Sequence, residues 1–165
     1  MATVNINLAV TPVGPNITQG VNFGFTPGAG TPANVVSSTG GIDLSKLYPS
    51  GTAVVLAFQI TTPTLKFTSG SSIGTFPLSF VTSTNGAKDA MWIALKGQNP
   101  GIYSGNEFVF GVNAMGPGNG LLTITDNNDD GLTYTYALWV WAATQGVTGT
   151  RFEDDPHVVN HPNNK

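Results

Sequence analysis

Apolar residues in this chain recur at every second position and almost nowhere at the three-to-four spacing of a helix. In the first segment Val4, Ile6, Leu8 and Val10 fall on one side, and Thr3, Asn5, Asn7 and Ala9 on the other. Successive side chains of a strand point to opposite faces, so this segment reads as a strand with one buried face. The pattern returns in 17–26 through Val21, Phe23 and Phe25, and in 73–81 through Phe76, Leu78 and Phe80, where Pro77 points to an edge strand. It is longest at 132–143, where Tyr134, Tyr136, Leu138 and Val140 share a face opposite Thr133, Thr135, Trp139 and Trp141. Residues 52–61 form a continuous apolar run, which predicts cover on both faces. Shorter strands are expected at 90–95, 107–113, 121–125 and 157–160.

Between these segments stand turn-forming residues, consistent with 21 Gly and 11 Pro. Asn85-Gly86 reads as a hairpin turn. The one expected helical turn is 43–47, with Asp43 as its N-cap. The expectation is therefore an all-β chain: a single domain over 1–165, an antiparallel β-sandwich of Ig-like or cupredoxin-like Greek-key type, with about 8 to 10 strands.

Charge narrows the function. Charged residues make up 9% of the chain, against roughly 25% in an average soluble protein. Residues 1–42 carry none. The six basic residues form no stripe, so nucleic acid is not an expected partner. No apolar stretch is long enough to span a membrane as a helix. The N-terminus shows no basic segment followed by an apolar run, so no secretory signal is expected. That predicts a cytoplasmic protein, or one exported without a cleaved N-terminal signal. With no cysteine, thiol catalysis and thiolate or blue-copper metal sites are excluded.

Three groups of residues carry candidate chemistry. Asp126, Asn128 and Asp130, followed by Gly131, have the spacing that opens a calcium loop, with Asp129 beside them. The twelfth position is Ala137, so the closing carboxylate is missing, and a polar hairpin turn fits the same residues. His157 and His161 would share a strand face near Glu153, Asp154 and Asp155, a donor set suited to a divalent metal. Trp139 and Trp141, with Trp92 and Tyr103, form a candidate binding surface. The tryptophans are either an exposed contact patch or are covered by a loop such as 27–41. The sequence offers no G-x-S-x-G elbow and no phosphate-binding glycine loop before a helix, and its scattered carboxylates single out no catalytic pair.

Tyr134-x-Tyr136-x-Leu138-x-Val140, followed by Gly149-x-x-x-Glu153-Asp154-Asp155-Pro156-x-Val158, is an aromatic strand leading into an Asp-Pro corner and a short last strand. It resembles the ending of small bacterial β-sandwich proteins of cupredoxin-like shape, among them the inclusion-body proteins of the PixA/AidA type. Asp154 departs from that pattern, which more often has an aromatic residue before the Asp-Pro. The resemblance implies a non-enzymatic protein that accumulates or assembles, and it carries no catalytic residues.

The function expected from the sequence is thus structural or interactive, with no enzymatic activity. The chain would associate with itself or a partner through a sheet face or edge, anchored by Trp139 and Trp141. The alternative is a carbohydrate-binding module or lectin, in which calcium would be the cofactor.

Overall fold

The computed structural model describes residues 1–13, 21–45, 47, 49, 51–63, 65–67, 84–111, 113–116, 120–142, 150–151 and 157–160. Among them lie eleven strands and one short helix. The chain is all-β, as its alternation predicts, and is built as two sheets.

The first sheet contains β1 (Ala2–Pro12), β2 (Val21–Pro27), β4 (Val54–Ile60), β7 (Phe108–Val109) and β8 (Leu121–Asp126). Their order is β2-β1-β4-β8-β7. The second sheet is organised around β9 (Thr133–Ala142). Val140 of β9 pairs with Phe67 of β5 (Leu65–Phe67) and also with Thr150 of β10 (Thr150–Arg151). Tyr134 and Thr135 pair with β6 (Met91–Leu95) and also with β11 (His157–Val159). Both edges of β9 are therefore occupied. β3 (Ile42–Asp43) extends this sheet beyond β11.

The sheets are mixed, which corrects the antiparallel expectation. β1 runs parallel to β4, and β3 parallel to β11. After the β1–β2 pair the chain crosses over through residues 28–53 and returns on the other side of β1 in the same direction. Parallel neighbours require such a long connection.

One hydrophobic core takes side chains from both sheets. Val4, Ile6, Leu8 and Val10 of β1 meet Leu56 and Phe58 of β4, and Tyr136, Leu138 and Val140 of β9 belong to the same cluster. The Phe58 and Tyr136 rings pack edge to face, with centroids 5.6 Å apart. A fully buried side chain of this size contributes about 1.5–3 kcal/mol. The Tyr136 hydroxyl donates to the Gly40 carbonyl at 2.6 Å, which satisfies its only donor inside the core.

Several local expectations are corrected. β4 is covered on one face only, since Val55 and Gln59 reach solvent. None of the described residues of 43–47 is helical. Asp43 instead uses Oδ1 to accept from the Ser45 N–H at 3.1 Å, closing a turn. Asn85-Gly86 lies not in a hairpin but inside α1 (Thr84–Ala90), whose Ala87 and Ala90 are wholly buried. The acidic turn after β8 is not a hairpin either. β8 and β9 lie in different sheets, so residues 127–132 cross from one sheet to the other. The expected strand at 73–81 falls outside the described residues.

Candidate functional site

The crossing at 127–132 gathers a cluster that holds four of the six buried polar residues among those described, Glu107, Asp126, Asn128 and Asn160. Its origin is the parity of β8. Leu122 and Ile124 point into the core, and so does the next residue in step, Asp126. A carboxyl is thereby placed at a core position, and Asp126 has no exposed surface. Its Oδ1 accepts from the Asn128 N–H at 2.8 Å, and Asn128 adopts a left-handed backbone with φ 53°. Asn tolerates that region better than other side-chain-bearing residues.

Glu107 immediately precedes β7. Phe108 pairs with Asp126, and the Asn127 N–H donates to the Glu107 carbonyl at 2.9 Å. This leaves Glu107 buried beside Asp126. Its Oε1 accepts from Asn160 Nδ2 at 2.8 Å and from the Asp129 N–H at 3.3 Å. Asn160, at the end of β11, also donates to Asp130 Oδ1 at 3.2 Å. The Tyr134 hydroxyl donates to Asp130 Oδ2. The Tyr103 hydroxyl accepts from the Glu107 N–H at 3.1 Å.

Burial disfavours the ionised carboxyls, and their mutual repulsion adds to it. Glu107 is pushed up to about 8, first by desolvation and then by its hydrogen bond to Asp126. Desolvation raises Asp126 to about 6, while the contact with Glu107 works in the opposite direction. Burial is the leading cause for both carboxyls, so both are held above the ordinary carboxylate range. Asp126 Oδ2 meets no N–H or hydroxyl donor among the described residues. Tyr134 is raised strongly, by burial and then by Asp130.

Tyr103 and Tyr134 also line a cleft of about 430 Å³ next to the cluster. Their rings stand nearly perpendicular, with centroids 6.4 Å apart. Phe108 packs edge-on to both. Three of the few exposed large aliphatic side chains, Leu95, Ile102 and Leu132, also line this cleft. Gly105 lets the Tyr103 ring fold back, because a Cβ there would collide with the phenol.

The remaining candidates separate. Trp139 is buried at 7% exposure, so of the two alternatives for it the covered one holds. Trp92 packs edge to face on it at 4.9 Å and donates to Asp89 Oδ1 at 3.0 Å. The side chain of Trp141 lies outside the described residues, as do His161, Glu153, Asp154 and Asp155. His157 sits in β11 opposite Thr135. Of the expected calcium ligands, Asp126, Asn128 and Asp130 are tied into the cluster, and Asp129 is exposed with its N–H on Glu107. Among the described residues no group of three or more His, Cys, Asp or Glu side chains is disposed to hold a metal ion. Glu107 and Asn160 were not singled out by the sequence. They reach the acidic turn only through tertiary pairing, and no local motif marks them.

A different surface accounts for the sparse charge. The outer face of the first sheet is formed by neutral residues in register. Asn7 lies between Thr26 and Gln59, with Leu121 beyond. Ala57 lies between Asn5 and Thr123. Val55 lies between Thr3 and Thr125, with Val109 beyond. Among the described residues of these strands, no Lys, Arg, Asp or Glu points out of that face. None of the described helices is long and apolar enough to cross a membrane. The chain matches no protein-family model and no curated protein sequence.

Proposed function

We propose that this chain is a non-enzymatic structural protein that associates with itself through the outer face of the β2-β1-β4-β8-β7 sheet. The observation that carries this reading is the run of neutral rows across five strands. Sheet faces turned to water ordinarily carry charge that keeps copies apart. Here hydroxyl, amide and small apolar groups meet solvent instead, and their removal from water strands no charge. In this reading the two sheets are the layers of a sandwich, as the C-terminal resemblance to PixA/AidA-type proteins implies. The burial of Trp139 directs the contact to the first sheet. A two-fold arrangement, in which each copy offers the same face, is the commonest way for one surface to be satisfied.

Light scattering across a concentration series from micromolar to millimolar tests the proposal. The expected result is a rise in mass with concentration that Thr125→Lys suppresses. A mass that stays at one chain throughout, or that Thr125→Lys leaves unchanged, removes the reading.

A further inference from the structure

We infer that the cleft bordered by residues 93–105 and 132–134 binds a neutral saccharide without a metal ion. Its volume of about 430 Å³ falls at the lower end of small-ligand pockets. Polar and apolar groups share its lining. Gln98, Asn99 and Ser104 are exposed there, and their side chains bond to no other described residue. Six large hydrophobic side chains are exposed among the described residues, and three of them, Leu95, Ile102 and Leu132, line this one cleft. The rim is held by its own backbone. The Lys96 N–H donates to the Thr133 carbonyl and the Gln98 N–H to the Leu95 carbonyl, each at 2.9 Å. The Thr135 hydroxyl donates to the Gln98 carbonyl at 3.4 Å. These bonds tie the segment to β6 and β9 before a ligand arrives, so little ordering opposes binding.

The lining selects the occupant. No Lys, Arg, His, Asp or Glu lines the cleft among the described residues. A charged ligand would leave water there and meet no opposite charge. The same lining offers no carboxylate to a calcium ion. Side-chain amides and hydroxyls both donate and accept, and so does each hydroxyl of a sugar. A pyranose carries hydroxyls around its rim and C–H groups on its faces, which matches three amide or hydroxyl side chains set beside three aliphatic ones. A wholly apolar ligand would cover the amides without bonding to them. An extended peptide would need a free strand edge to add to. On the side of β6 away from β9 the Ile93 N–H already donates to the Gly101 carbonyl at 2.8 Å. The inference is independent of the self-association reading, because it shares no residue with the face assigned to that contact.

Amide-resolved NMR titrations in the presence of EDTA test it. The probes are the methyl glycosides of glucose, galactose, mannose and N-acetylglucosamine, with sodium glucuronate and N-acetyl-trialanine amide as the charged and peptide comparisons. Saturable shifts at residues 93–105 and 132–134 are expected with at least one glycoside, and weaker ones with glucuronate and the peptide. Gln98→Ala and Asn99→Ala change exposed residues and keep the fold. Each should weaken binding by about three- to tenfold, the loss of a hydrogen bond. Ile102→Gln, also at an exposed position, should weaken it by about threefold, the loss of part of an apolar contact. The inference is overturned if no glycoside gives saturable shifts at these residues, if glucuronate or the peptide binds there as tightly, or if affinity is undiminished in Gln98→Ala and Asn99→Ala.

Discussion

Glu107 shows how one residue can make stability depend on pH in an uncommon direction. Its folded pKa lies above its ordinary value, and so does that of Asp126. Above the ordinary carboxylate range the unfolded chain has released these protons, while the folded chain keeps that of Asp126 to about pH 6 and that of Glu107 to about pH 8. Stability therefore falls as pH rises wherever the folded state binds more protons. The contribution is full below the ordinary carboxylate range and is lost as pH rises through about 6 and then about 8, the folded values of Asp126 and Glu107. The melting temperature should decrease between pH 5 and pH 9, by a few degrees. Glu107→Gln should flatten that slope, because an amide can accept from Asn160 and donate to Asp126 without titrating. A melting temperature that climbs over the same range contradicts the raised values of the two buried carboxyls. Gly105→Ala is expected to destabilise by about 1–3 kcal/mol, the usual range for overpacking, because the new methyl displaces the Tyr103 phenol. Chemical denaturation with intact far-ultraviolet dichroism would measure it. At this scale the sequence was partly informative. Asp126 follows from β-strand parity after Leu122 and Ile124. Glu107 and Asn160 do not, since they are 53 residues apart and meet through a single hydrogen bond.

At the scale of elements, β9 is the strand around which the second sheet is built. Its partners on both edges and its burial on both faces predict the slowest amide exchange of the molecule at residues 134–138. Hydrogen exchange read by mass spectrometry checks this, and faster exchange there than in β2 would contradict it. Tyr136→Phe should cost about 1–2 kcal/mol, because the buried Gly40 carbonyl would lose its donor. Urea denaturation would read that loss. β1 and β9 were legible because period-2 alternation is a local signal. α1 was not, because Asn85-Gly86 favours a turn by propensity alone. Burial of Ala87 and Ala90 supplies the packing that overrides it. The parallel pairing of β1 with β4 was also hidden. Alternation fixes which face a strand buries and says nothing of which strand lies beside it.

Over the whole molecule, sparse charge acquires a location. The acidic turn holds three of the nine acidic residues, Asp126, Asp129 and Asp130, at one end of the core. The first sheet turns a neutral face to solvent. Low charge on a broad face removes the repulsion that keeps copies apart, which is the physical basis of the proposed assembly. The most direct test mixes two variants of one residue at the centre of that face. Asn7→Lys and Asn7→Glu, each alone, should sediment as single chains at concentrations where the unaltered protein associates. Mixed in equal amounts, they should associate again, because opposite charges then meet across the interface. Sedimentation of the unaltered protein as a single chain at every concentration, or association of each variant alone as strong as that of the unaltered protein, would contradict the account.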